Sequence, residues 1–192
     1  MAETNQSVEI VNEEKSIFKK FLRFDDDWVD LSFTCPPLTS VPLKYLTPKL
    51  KEINLSNNEL TEFPEELYQC KELMHLYLSF NKITNLPDIG EKFPNLVTLD
   101  LSYNNLVVLP DLSKFKSLEV LILSSNKIES VPESIGELKQ LKQVYLDNNV
   151  INEMPKSFQS LTLNVSRLEG NKLHQKASRV LSGLISKRLL LK

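Results

Sequence analysis

The chain has 192 residues with 25 acidic and 23 basic side chains, a formal net charge of −2, so bulk charge does not make it a general polyanion binder. With 41% hydrophobic residues it can bury one sizeable core, and no apolar run approaches the ~18 residues that a membrane span requires. The N-terminal stretch MAETNQSVEIVNEEK is acidic and polar, unlike a secretory signal, and two unclustered cysteines point to a reducing, cytoplasmic setting.

Residues 1–27 carry no repeat. Ile17, Phe18, Phe21 and Leu22 have helical spacing with Lys15, Lys19, Lys20 and Arg23 between them, which predicts a short helix over 12–24 covering the end of whatever follows. Asp25, Asp26 and Asp27 read as a solvated turn rather than a metal site.

From residue 28 one frame recurs. Its middle copy is Leu73, Leu76, Leu78, Asn81, Ile83, Leu86, Pro87: apolar residues at positions 1, 4, 6, 11 and 14, Asn at 9, Pro at 15. The same frame starts at Leu50, Leu96, Leu118 and Leu141, with a weaker copy at Leu163 in which Ser166 stands where an apolar residue is expected. An earlier copy reads Trp28, Leu31, Phe33, Leu38, Val41, Pro42, with Pro36 in place of the Asn. The starts are 22, 23, 23, 22, 23 and 22 residues apart. Side chains alternate along a strand, so positions 4 and 6 share a buried side while 3, 5, 7 and 8 face or border the other. The Asn at position 9 can pair with backbone groups of its own and neighbouring coils, forming a buried ladder. Pro at 15 suits an extended return segment. A single such coil cannot bury its own apolar face, so the copies must stack. Cys70, at position 21, takes a place held elsewhere by Phe93 and Leu138, so it reads as a small buried hydrophobe; a disulfide with Cys35 is not expected.

After Asn171 the frame stops. Residues 174–192 place Val180, Leu181, Leu184 and Ile185 on one helical face, with Lys176, Arg179, Lys187 and Arg188 elsewhere. This predicts a C-terminal capping helix; the alternative is a basic amphipathic membrane-surface helix.

The period and the return segment of Val131, Pro132, Ile135, Gly136 and Leu138 resemble the intracellular leucine-rich repeat proteins of the Ras-suppressor type. The 22-residue coil from Leu96 is similar to the phosphatase-1 regulatory family of such proteins. The resemblance covers 28–173 and implies an α/β right-handed solenoid of about seven coils, with a parallel concave sheet and helical caps at 1–27 and 174–192. It also implies a non-enzymatic scaffold or adaptor without a cofactor, whose folded signalling partner is a Ser/Thr protein phosphatase catalytic subunit or a Ras-like GTPase.

Chemistry-bearing motifs are sparse. The four glycines are scattered, leaving no phosphate-cradling loop, and His75 and His174 are the only histidines, so no metal site is expected. The one arguable catalytic constellation, and the alternative function as a hydrolase, is His75 with Asp100 and Ser79 or Ser102 on neighbouring strands.

The exposed sheet face is the candidate site. In this frame column 3 is Asp30, Glu52, His75, Thr98, Val120, Gln143, Val165, and column 5 is Ser32, Asn54, Tyr77, Asp100, Ile122, Tyr145, Arg167. Column 7 begins at Thr34 and contains Ser79, Ser102 and Asp147; column 8 begins at Cys35 and contains Phe80 and Tyr103. His75, Tyr77, Phe80, Tyr103, Val120, Ile122 and Tyr145 bunch in the middle coils, with Asp100 and Asp147 beside them, and an aromatic centre inside a polar rim is how protein interfaces look. Phe80 and Tyr103 could instead tuck into the strand-to-loop bend and cover the core. Five acids (Asp30, Glu52, Asp100, Asp147, Glu169) against Arg167 disfavour a nucleic-acid partner. A monomer is expected.

Overall fold

The computed structural model describes residues 23–25 and 27–173, the side chains of Arg23 and Phe24 excepted. Three-residue strands recur once per coil: β2 (Trp28–Asp30), β3 (Glu52–Asn54), β4 (His75–Tyr77), β5 (Thr98–Asp100), β6 (Val120–Ile122), β7 (Gln143–Tyr145) and β8 (Val165–Arg167). All seven are parallel, each beside its neighbour in sequence order, as the spacing predicts. In register, Ile53, Leu76, Leu99, Leu121 and Val144 line up on the inward side.

An eighth strand was not expected. β1 (Arg23–Asp25) pairs antiparallel with β2 and extends the N-terminal edge of the sheet. Arg23 and Phe24, the last residues of the helix expected over 12–24, are therefore strand; the rest of that helix and the C-terminal helix expected within 174–192 lie outside the described residues. Asp27 forms the turn of this hairpin: its carbonyl accepts from the amides of Lys51 and Glu52, and its carboxylate accepts from Lys51 Nζ at 3.2 Å.

The first coil also corrects the reading. Val29, not Leu31, is opposite Ile53, so the coil starts two residues earlier than the Trp28 frame places it. Leu31 then takes position 6, Phe33 position 8 and Thr34 the place of the Asn. Across residues 28–32, the strand and the two residues after it, a slip of two leaves each side chain on its predicted face, because the alternation has period two and cannot by itself fix the frame. Past this stretch the alternation ends, and the slip shows. Phe33, expected inward, is 73% exposed.

One continuous core runs through the stack, built from the inward positions of every coil and closed from the return side by Phe63, Leu67, Phe93, Phe115, Ile135 and Phe158. The return segments form short 3₁₀ helices at Glu65–Gln69, Glu133–Glu137 and Lys156–Ser160, each following a proline whose fixed φ ends the extended stretch. Cys70 is fully buried, and both Cys35 and Cys70 are free thiols. Burial pushes the Cys70 thiol up to about 11.

The asparagine ladder forms as the side-chain inventory requires. Nδ2 of Asn104 donates to Leu78 O of the preceding coil (2.9 Å) and to Leu101 O of its own (3.1 Å), while its Oδ1 accepts from the Ile83 amide (2.9 Å). Asn81, Asn126, Asn149 and Asn171 repeat this arrangement. Asn58 begins it, accepting from the Leu38 amide and from the Thr34 hydroxyl.

Candidate functional site

The strands fix the site row by row. His75, Thr98, Val120 and Gln143 are successive partners across β4–β7, and Tyr77, Asp100, Ile122 and Tyr145 form the adjoining row. All eight are half-buried and face away from the core. The corrected first coil adds Trp28 to the first row and Asp30 to the second. Two serines of column 7, Ser56 and Ser102, are buried, and Ser79 Oγ donates to Ser56 Oγ at 2.9 Å, whereas Asp147 and Glu169 of the same column are half-buried.

The acids on this face shape its electrostatics. The Tyr77 hydroxyl is held above its ordinary range, first by burial and then by the charges of Glu52 and Asp100. Asp100 Oδ1 accepts from the Ser102 amide (2.9 Å) and hydroxyl (2.7 Å). Asp147 is held similarly: Ser124 Oγ donates to its Oδ1 at 2.7 Å. Tyr145 is engaged on two sides. Its hydroxyl donates to Gln143 Oε1 (3.0 Å), and the Arg167 guanidinium lies over its ring, 5.4 Å from the centroid.

Column 8 is conformationally distinct. Phe33, Asn57, Phe80, Tyr103, Ser125, Asn148 and Gly170 all have φ between 52° and 72°, the left-handed region. This bend turns the chain out of the strand so that the following Asn points inward. Asn and Gly are the residues that take it at little cost, whereas a left-handed conformation costs other L residues roughly 1–2 kcal/mol. Three aromatics nevertheless stand there. Phe80 and Tyr103, 49% and 50% exposed, stack with centroids 4.1 Å apart and planes within 8°. They do not tuck into the bend to cover the core; they stand out from it.

The hydrolase constellation is not assembled. His75 Nδ1 is 3.1 Å from Thr98 Oγ1, Ser79 is bonded to Ser56, and Ser102 is bonded to Asp100. Among the described residues no hydrogen bond joins His75 to Asp100, Ser79 or Ser102, so the nucleophile–base link a triad needs is missing. Neither do the described residues hold a group of three or more potential metal-ligating side chains.

The family model described as leucine rich repeat matches in four overlapping windows, residues 31–83, 48–106, 71–128 and 94–151, more than half of the chain. The chain belongs to the leucine-rich repeat family. A leucine-rich repeat protein of Leptospira interrogans is 37% identical over 75% of this chain, with a TM-score of 0.71. The leucine-rich repeat ectodomain of a plant membrane receptor kinase from Arabidopsis thaliana, solved with CASPARIAN STRIP INTEGRITY FACTOR 2, is 26% identical over 75%, with a TM-score of 0.60. An internalin of Listeria monocytogenes, 23% identical over 71% with a TM-score of 0.63, shares the fold. This repeat chain spans only 38%, 22% and 39% of those three chains, respectively. No curated protein matches the sequence significantly. Leucine-rich repeat proteins are generally interaction modules that bind folded proteins or peptides.

What the sequence reading missed lies at the first coil and in column 8. The signal was present in part: WVDLSF places Val29, Leu31 and Phe33 with the same spacing as Leu76, Leu78 and Phe80. The positive φ of column 8 had no apolar signature at all.

Proposed function

We propose that this leucine-rich repeat chain is a non-enzymatic, cytoplasmic scaffold or adaptor that grips a folded signalling protein with the exposed, concave face of its sheet. The observation that carries the reading is the row Tyr77, Asp100, Ile122, Tyr145, with Val120 beside it: large side chains directed to solvent from the middle strands, inside an acidic border. By resemblance to the Ras-suppressor and phosphatase-1-regulatory types, the partner is a Ras-like GTPase or a Ser/Thr protein phosphatase catalytic subunit. The free state of both cysteines favours the cytoplasmic setting. The solenoid is taken as right-handed, the hand that parallel crossover connections adopt. In this reading the segments 1–27 and 174–192 cap the two ends of the stack, and the chain acts as a monomer.

The test is a pull-down from lysate with the wild-type chain and a Tyr77→Ala, Ile122→Ala, Tyr145→Ala variant. Each tyrosine truncation should cost about 2 kcal/mol of binding. Folding should barely change, because these side chains point away from the core. A partner retained by the triple variant with unchanged affinity moves the site to the return side or the ends, and the reading fails.

A further inference from the structure

The charge of the molecule is segregated. The whole chain is nearly balanced, yet columns 3, 5, 7 and 8 carry Asp30, Glu52, Asp100, Asp147 and Glu169 against the single base Arg167. That base is already in use over the Tyr145 ring. The acids therefore face solvent with little compensation of their own.

The Phe80–Tyr103 stack stands at the edge of this acidic face, at the C-terminal ends of β4 and β5. Elsewhere the molecule covers aromatic rings with its own cations: Lys44 lies over Tyr45, Lys92 over Tyr68 and Arg167 over Tyr145. Among the described residues no cation covers Phe80 or Tyr103, and the Tyr103 hydroxyl has no hydrogen-bond partner. Lys82, close to Phe80 in the chain, is paired with Glu59 at 3.0 Å. Two aromatics are held exposed in a backbone conformation that disfavours them, at a column where Asn57 and Asn148 show a low-cost alternative. Asp100 lies three residues before Tyr103 and presents its second oxygen, Oδ2, without a partner among the described residues.

An exposed π-stack beside uncompensated carboxylates is complementary to a planar cation on a basic chain. The geometry points to a basic segment of a protein partner as the occupant: an arginine lies against the Phe80–Tyr103 stack, and neighbouring basic residues meet Asp100 and Glu52. This rests on the reading of the sheet face as the partner site and specifies the partner's chemistry. Arginine is favoured over lysine because its guanidinium stacks on aromatic faces while donating to a carboxylate in the same plane.

The test uses the full chain and fluorescein-labelled octapeptides that alternate glycine with arginine, lysine or glutamate, read by fluorescence anisotropy. The arginine peptide should bind, weaken as salt rises and outcompete the lysine peptide; the glutamate peptide should not bind. Phe80→Asn combined with Tyr103→Asn keeps the backbone on a residue this column already tolerates, so the variant folds. It should weaken the arginine peptide about tenfold, the scale of a partly desolvated cation–π contact. Glu52→Gln with Asp100→Asn should weaken all basic peptides and flatten the salt dependence. The proposal is overturned if the arginine peptide fails to bind, if the asparagine variant binds it as the wild type does, or if the glutamate peptide binds equally. A lysate partner that is lost with the Tyr77, Ile122 and Tyr145 truncations but kept by the Phe80, Tyr103 variant leaves the scaffold reading standing and refutes this one alone.

Discussion

Replacing Asn104 by Leu tests whether the ladder is a continuous stabilising device. The side chain is buried at the middle of the stack, and its four hydrogen bonds are not equivalent. Leu78 O also accepts from Asn81, Leu101 O from Asn126, and Ser102 O from the Phe80 amide, so each carbonyl keeps one partner when Asn104 is removed. The Ile83 amide differs: it donates to Asn104 Oδ1, and no second acceptor is described for it in a fully buried residue. One orphaned buried donor costs roughly 1–3 kcal/mol, and the half-satisfied carbonyls place the expected loss in the upper part of that range. With a denaturant slope of about 2 kcal/mol per M, the urea midpoint should fall by about 1 M at unchanged slope. Asn171→Leu is the control. It orphans the Ile151 amide in the same way, but Asn171 is half-exposed at the end of the ladder, so water can replace the lost acceptor. Its cost should be about half as large. Equal midpoint shifts for the two variants would refute a continuous ladder whose interior rungs are sealed from water.

Three other outcomes follow from single positions. Ser125 holds φ 57° with no described side-chain hydrogen bond to lose, so Ser125→Asn should raise stability by about 0.5–1 kcal/mol in denaturant melts; a decrease would show that column 8 is not strained. Ser166 Oγ is buried without a partner among the described residues, at the inward position that Leu121 and Val144 occupy in their coils, so Ser166→Val should stabilise by about 1 kcal/mol; a loss would mean that the hydroxyl is satisfied. The Cys70 thiol is raised from 9.0 to about 11, so its neutral form favours the folded state; that stability is whole below about pH 9 and lost as pH rises towards 11. Cys70→Ala should flatten the alkaline decline by up to ~3 kcal/mol, and identical pH profiles for the two proteins would contradict it.

The period of 22–23 residues, the inward columns and the asparagine ladder were legible in the sequence because a solenoid is stabilised by nearest neighbours. Each coil repeats the same burial problem, so its solution is written into every copy at the same positions. The rows of the exposed sheet face followed as soon as the strands were placed, since Tyr77, Ile122 and Tyr145 share a position in their coils. Three features were decided only by the folded molecule. The hairpin of β1 on β2 depends on long-range edge pairing, for which a three-residue strand carries no periodic signal. The two-residue frame of the first coil depends on register, which alternation of period two cannot distinguish; backbone pairing of Val29 with Ile53 resolves it. The exposed Phe80–Tyr103 stack depends on the left-handed bend after each strand. That bend is imposed by the need to turn the next Asn inward, and it overrides the preference of an aromatic side chain for burial.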